Sequence, residues 1–304
     1  MLLLFISSLA SCSGTGSTTG QPGQLQVIAT TTIVSDVVQQ VAGGTVQVAT
    51  LLPPGTDPHS FQPTPQDVAL VSKANLIFAS GAGLETFLQP LLDNAGGNAQ
   101  VVYLSQGIPL LEAEDVTEKA AESGETGEQG QGDPHVWLDP TNVITWTNRI
   151  EETLAALAPQ DEQAFAKNAQ AYIQQLQELD TWIQEQVAKI PQGNRLLVSD
   201  HTDLTYFAKR YGFEQVGSII PGYSTLAEAS AQDLAALEDA IRKQGVKTIF
   251  ISETAPAVVQ RVAQDTGISL VQLYIGYLSP PDGPAPTYMK MMRYDVNQIV
   301  SALS

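Results

Sequence analysis

Cysteine is nearly absent. The 304 residues contain one, Cys12, which leaves no pair for a disulfide and no thiolate cluster for a zinc or iron–sulfur site. Histidine is almost as scarce: His59, His135 and His201 are the whole supply. Any imidazole chemistry therefore has three addresses. Positive charge is short as well, with 14 Lys and Arg against 32 Asp and Glu, for a net −18. Nucleic-acid phosphates repel such a surface, so no nucleic-acid partner is expected. A cationic ligand suits the sign better. No apolar run reaches the ~20 residues needed to cross a bilayer; MLLLFISSLA at residues 1–10 falls far short. Also missing are H-E-x-x-H, G-x-S-x-G, a P-loop and G-x-G-x-x-G, the signatures of several large enzyme classes.

What is present fills about two domains, at roughly 150 residues each. Hydrophobic residues make up 43% of the chain, enough for sizeable cores. At the N-terminus, Leu9-Ala10-Ser11-Cys12 resembles a bacterial lipobox, with Cys12 as the residue to be lipidated. No Lys or Arg precedes it, where signal peptides usually carry a positive n-region. SGTGSTTGQPGQ follows as a flexible tether. Residues 1–24 thus read as a lipoprotein signal and tether, placing the protein outside the cytoplasm on a membrane anchor.

Beyond the tether, strand and helix alternate. Strands are predicted at 26–31, 46–52, 75–80, 100–104, 195–199, 247–252 and 268–274. Helices are predicted near 33–42, from Thr64-Pro65, over 84–94, 139–158, 203–211, 230–244, 255–265 and 286–303. Alternation of this kind means an α/β protein with doubly wound parallel sheets. The stretch 159–190 has neither Gly nor Pro between Gln160 and Ile190. Its apolar residues, from Phe165 to Val187, recur at three-to-four spacing. This predicts one amphipathic helix of about 30 residues, ~45 Å long. The resulting plan is an N-terminal lobe at 25–158, a rigid connecting helix at 159–190 and a C-terminal lobe at 191–304. Residues 112–133, rich in Glu and Gly, read as a solvated acidic insertion in the first lobe.

All three histidines fall on loops at the carboxyl ends of predicted strands, the edge where open α/β sheets bind ligands. Glu253 shares that address, just after 247–252. Two residues from each lobe then face one cleft. A lone His is more often filler than ligand, but here every His of a His-poor chain shares one edge. Neutral imidazoles with one carboxylate suit Zn²⁺; Mn²⁺ and Fe²⁺ favour more oxygen. Asp57, Asp133, Asp139, Asp200 and Asp203 lie close enough to orient the imidazoles, although Asp139 also stands where a helix cap belongs.

Four segments carry a family resemblance: PPGTDPHSFQPTPQD (53–67), SGAGLETFL (80–88), DPHVWLDP (133–140) and SDHTDLTYFAKRYG (199–212). They resemble solute-binding protein family 9 of ABC transporters, the metal-specific ZnuA/TroA/PsaA group, from about residue 25 to 304. The resemblance implies two lobes joined by a long helix, with His59, His135 and His201 as ligands of a cleft metal. It implies handover to a membrane permease and no enzymatic activity. His at position 201 resembles the zinc branch, since the manganese branch typically has Glu there. Many members add an Asp after the last strand, where this chain has Gly276. The fourth ligand is then Glu253 or water. Zinc is thus the expected cargo of a lipid-anchored monomer. The alternatives are a manganese or iron member of the family, a three-His zinc hydrolase, and an adhesin displayed on lipid.

Overall fold

The computed structural model describes residues 25–111, 132–252 and 255–304. Cys12, residues 112–131 of the acidic insertion, and Glu253 lie outside the described residues. The first lobe runs β1 (Val27–Ala29), α1 (Thr32–Ala42), β2 (Val48–Thr50), α2 (Pro65–Val71), β3 (Leu76–Ala79), α3 (Leu88–Ala95) and β4 (Gln100–Tyr103). After a short 3-10 turn at Val136–Leu138 come α4 (Pro140–Leu157) and α5 (Glu162–Val187). The second lobe runs β5 (Leu196–His201), α6 (Thr205–Tyr211), β6 (Glu214–Ile220), α7 (Ala231–Gln244), β7 (Thr248–Ile251), α8 (Ala257–Thr266) and β8 (Ser269–Gln272). The helix α9 (Tyr288–Leu303) closes the chain.

Each lobe holds one four-stranded parallel sheet, ordered β2-β1-β3-β4 and β6-β5-β7-β8. The order is the same in both when strands are numbered within their lobe. The expected two-lobe doubly wound architecture is therefore present, and both sheets reverse winding beside their first strand. Helix starts follow local chemistry. Thr64 and Asp67 form a reciprocal capping box ahead of Pro65, and Ser230 with Asp233 does the same for α7.

One strand lies outside the sequence-based expectation: β6, an edge strand. Its stretch Glu214–Ile220 opens with two polar residues and has Gly217 at its centre. A Cβ on Gly217 would meet Leu237 Cδ1 at 2.8 Å, so glycine lets α7 sit close against the sheet there. The feature that fits the strand to its helix is the one that hides it from a pattern search.

The connecting helix is shorter than expected. α5 spans 26 residues after a 3-10 turn at Pro159–Asp161, about 39 Å at 1.5 Å per residue. It is not a free-standing strut. Phe165, Ala169, Tyr172, Leu176, Leu179, Ile183 and Val187 are buried in a core that draws on both lobes, from Val34 and Val37 to Phe207, Met291 and Ile299. Polar bonds stitch the lobes further. Thr32 Oγ1 accepts from Leu278 N at 2.8 Å, Asp36 Oδ2 from Tyr288 N at 2.8 Å, and Ile275 O from Trp137 Nε1 at 2.8 Å. No helix of the described residues is long and apolar enough to cross a membrane.

Because this core is common to both lobes, denaturant unfolding is expected as one cooperative transition. Leu176 is fully buried, and Leu176→Ala is expected to lower stability by about 2–5 kcal/mol. A transition resolved into two lobe-sized steps, with only one moved by the substitution, would contradict the shared core.

Candidate metal centre

The carboxyl edges of the two sheets face each other, and the three histidines meet between them. His59 lies on the loop from β2 to α2. His135 precedes the 3-10 turn that leads into α4. His201 is the last residue of β5, which runs two residues further than expected. His135 Nε2 stands 3.2 Å from His59 Nε2 and 3.3 Å from His201 Nε2. The residues His59, His135 and His201 are 7%, 2% and 5% exposed, so water solvates none of them well.

Carboxylates fix how two of the rings present themselves. Asp133 Oδ1 accepts from His135 Nδ1 at 2.7 Å. His201 Nδ1 lies 3.2 Å from Asp200 Oδ1 and 3.4 Å from Asp203 Oδ2. A proton held at Nδ1 leaves Nε2 of each ring to face the shared point. Asp133 and Asp203 are fully buried. Asp133, the last residue of the stretch read as a solvated insertion, takes the orienting role that its closeness to His135 in sequence suggested and is buried in the site. Asp200 Oδ2 is tied in turn to Ser252, accepting from Oγ at 2.6 Å and from N at 3.2 Å. Asp57 serves His59 through its backbone rather than its ring, accepting from His59 N at 2.9 Å. Asp139 takes its other expected role: Oδ1 accepts from Thr141 N at 2.8 Å and caps α4.

The motifs decompose into such tasks. In His135-Val136-Trp137-Leu138-Asp139-Pro140, the His faces the cleft, the Trp bonds across to Ile275, and Asp-Pro starts α4. Downstream of His201, Tyr206 reaches back over the cleft and donates from its hydroxyl to Asp133 O at 3.0 Å. The Gly81-Ala82-Gly83 turn keeps all three residues at positive φ. A Cβ at Gly81 would collide with the Ser105 hydroxyl. This turn lets buried Glu85 fold back and accept from Thr30 Oγ1 at 2.7 Å, Ser80 N at 2.8 Å and Gly81 N at 3.0 Å. Glu85 thus satisfies the winding-reversal point of the first sheet.

Among the described residues, His59, His135 and His201 form a group able to hold one metal ion; Asp200, His201 and Asp203 form a second that shares a member. The cavity they face is about 20 Å³ and is also lined by Thr225, Ser252 and Gly276. That volume accommodates an ion or a single water, not an organic substrate. Gly276 leaves its wall bare, and a Cβ there would meet only ordinary contact, Pro58 Cδ at 3.6 Å. Thr225 and Ser252 were not singled out in the sequence. Thr225 follows β6, the unanticipated strand, so its address on this edge was not readable.

The electrostatics divide the rings. Burial, then His135 and His201, pushes His59 down to about 2, so it is neutral. Burial also lowers His135, against the pull of Asp133. For His201 burial again opposes charge, but Asp203, Asp200 and Asp57 outweigh it and raise its pKa to about 9. Burial lifts Asp203 to about 7 even with His201 beside it. One proton is therefore held at the His201 carboxylate cluster near neutrality, and a metal must displace it.

Comparison with known proteins agrees on a periplasmic metal-binding transport component and divides on the metal, the family model being named for zinc and the similar lipoproteins for manganese. Residues 27–302 match the family model described as ZnuA, zinc-uptake complex component A, periplasmic. The manganese-binding lipoprotein MntA of Halalkalibacterium halodurans is 30% identical over 97% of this chain and 94% of its own length. The manganese ABC transporter substrate-binding lipoprotein PsaA of Streptococcus pneumoniae is 29% identical over 100% of this chain and 98% of its own. Among solved structures, the periplasmic zinc-binding protein TroA of Treponema pallidum superposes with TM-score 0.81 at 29% identity, covering 93% of this chain and 100% of that one. A Mn-bound periplasmic metal-binding protein of Candidatus Liberibacter asiaticus gives 0.78 at 26% identity, covering 92% and 100%.

The pH dependence of metal affinity follows from His201. Its pKa of about 9 without metal makes protons compete with the ion at every pH below that. Affinity is expected to rise about tenfold per pH unit between 7 and 8.5, one proton being released per ion. Titration calorimetry in buffers of different ionisation enthalpy reads both quantities. An affinity flat over that range, without proton release, would contradict the assignment.

Proposed function

The chain belongs to the zinc-uptake component A family of periplasmic solute-binding proteins, and we propose that it captures one divalent transition metal, zinc by preference, and delivers it to an ABC permease. The family consists of transport components, not enzymes. The observation that carries the metal reading is the convergence of the three imidazole Nε2 atoms. Two nitrogens bonded at ~2.0–2.1 Å to one tetrahedral zinc stand about 3.3 Å apart, against the 3.2 and 3.3 Å found between His135 and its neighbours. His59, His135 and His201 are the proposed ligands. Glu253 or a water takes the fourth place.

Zinc is favoured by donor chemistry. Three neutral nitrogens with a bare wall at Gly276 supply little of the oxygen that helps manganese compete, and the Irving–Williams order already places zinc above manganese. A second reading, manganese as cargo, rests on the names of relatives such as MntA and PsaA. The three-His hydrolase falls away, because the chain belongs to a family of transport components.

The relatives named lipoproteins support an extracytoplasmic protein anchored through Cys12. Cys12→Ser should then move it out of the membrane fraction; an equally membrane-bound variant would refute the anchor. Purified, metal-free protein should bind one Zn²⁺ per chain, and Mn²⁺ should not displace it at equal concentration. Each single His→Ala change should weaken zinc binding by at least two orders of magnitude, roughly the loss of a ligand of ~3 kcal/mol. Preference for Mn²⁺ in direct competition would overturn the metal choice. A triple His→Ala variant with native affinity would overturn the site.

A further inference from the structure

We propose that Asp57 and Thr225 form a clasp across the mouth of the cleft, and that its opening sets the rate at which metal enters and leaves. The proposal rests on the metal-capture reading above. Asp57 stands on the loop from β2 to α2 in the first lobe, and Thr225 on the loop from β6 to α7 in the second. The Thr225 hydroxyl donates to Asp57 Oδ2 at 2.5 Å. Both side chains line the small cavity that the histidines face.

The same carboxylate shapes the loop that carries a ligand. Asp57 Oδ1 accepts from His59 N at 2.9 Å, and Oδ2 also accepts from Ser60 Oγ at 2.9 Å. Asp57 thus ties the position of His59 to the opposite lobe. Among the other bonds between the lobes, Trp137 to Ile275 and Tyr206 to Asp133 are buried, while on the same β6–α7 loop the half-buried Tyr223 hydroxyl donates to Leu111 O at 3.3 Å. Asp57 and Thr225 are only half-buried, so water can take over their hydrogen bond when the loops part. His135 and His201 are walled in by their carboxylates and by Trp137. The His59 side, under the clasp, is the side where a loop of each lobe meets the other.

A gate of this kind has a kinetic signature. A clasp that closes the mouth with or without the ion slows entry and exit alike, so breaking it speeds both. A hydroxyl-to-carboxylate bond is a charge-assisted one, and its loss corresponds to roughly a tenfold change. Thr225→Val keeps the shape and removes the donor; Thr225→Ser keeps the donor.

The test is stopped-flow release of Zn²⁺ from the full-length protein into excess fluorescent chelator, together with equilibrium competition. Thr225→Val is expected to release zinc about tenfold faster with an affinity within about threefold of wild type, and Thr225→Ser to release at the wild-type rate. An unchanged release rate in Thr225→Val, or an affinity that falls in step with faster release, overturns the clasp and leaves the metal-capture reading standing. So does a Thr225→Ser variant as fast as Thr225→Val. A wild-type protein that binds no zinc overturns both.

Discussion

Three buried imidazoles that converge on one point, with His135 Nε2 standing 3.2 and 3.3 Å from the Nε2 atoms of the other two, are the constraint that organises this molecule. Buried rings this close gain little from one another. They stay together because carboxylates behind them fix their orientation and because burial removes the competing water. Asp133 holds His135, while Asp200 and Asp203 hold His201. Hydrogen bonds offset the cost of burying Asp133 and Asp200, while Asp203 faces His201 at 3.4 Å and burial raises its pKa to about 7. A cation completes the arrangement, since it gives the converging lone pairs a common partner.

The fold exists to present that point from two sides. Each lobe is a four-stranded parallel sheet of the same order, and each turns its carboxyl edge to the other. His59 and His135 come from one edge and His201 from the other. What keeps the edges in register is α5, whose apolar stripe joins a core common to both lobes. Backbone-to-side-chain bonds such as Trp137 to Ile275 add to it.

Much of this was legible in the sequence because the information is local. Alternating strands and helices, capping boxes at Thr64 and Ser230, and a long stretch without Gly or Pro each encode an element by short-range chemistry. The scarcity of histidine made its shared address on one edge conspicuous. What was not legible depends on long-range packing. β6 is hidden because Gly217 answers to a helix residue twenty positions away, Leu237. With that strand unread, Thr225 had no place, and its bond to Asp57 spans 168 residues. Asp133 was legible as a partner of His135 from their closeness in sequence, but its full burial was not, since it ends an acidic run that composition reads as solvated. The stop of β5 at His201 rather than at Ser199 is likewise set by pairing with β6, where His201 matches Ile220.

The account stands or falls on the first coordination shell. X-ray absorption spectroscopy of the full-length protein loaded with one equivalent of Zn²⁺ reads it directly. Three imidazole nitrogens at ~2.0–2.1 Å in a four-coordinate shell, with a single oxygen as the fourth donor, are the predicted result. A shell of mostly oxygen, or one in which fewer than three imidazoles are seen, would contradict it.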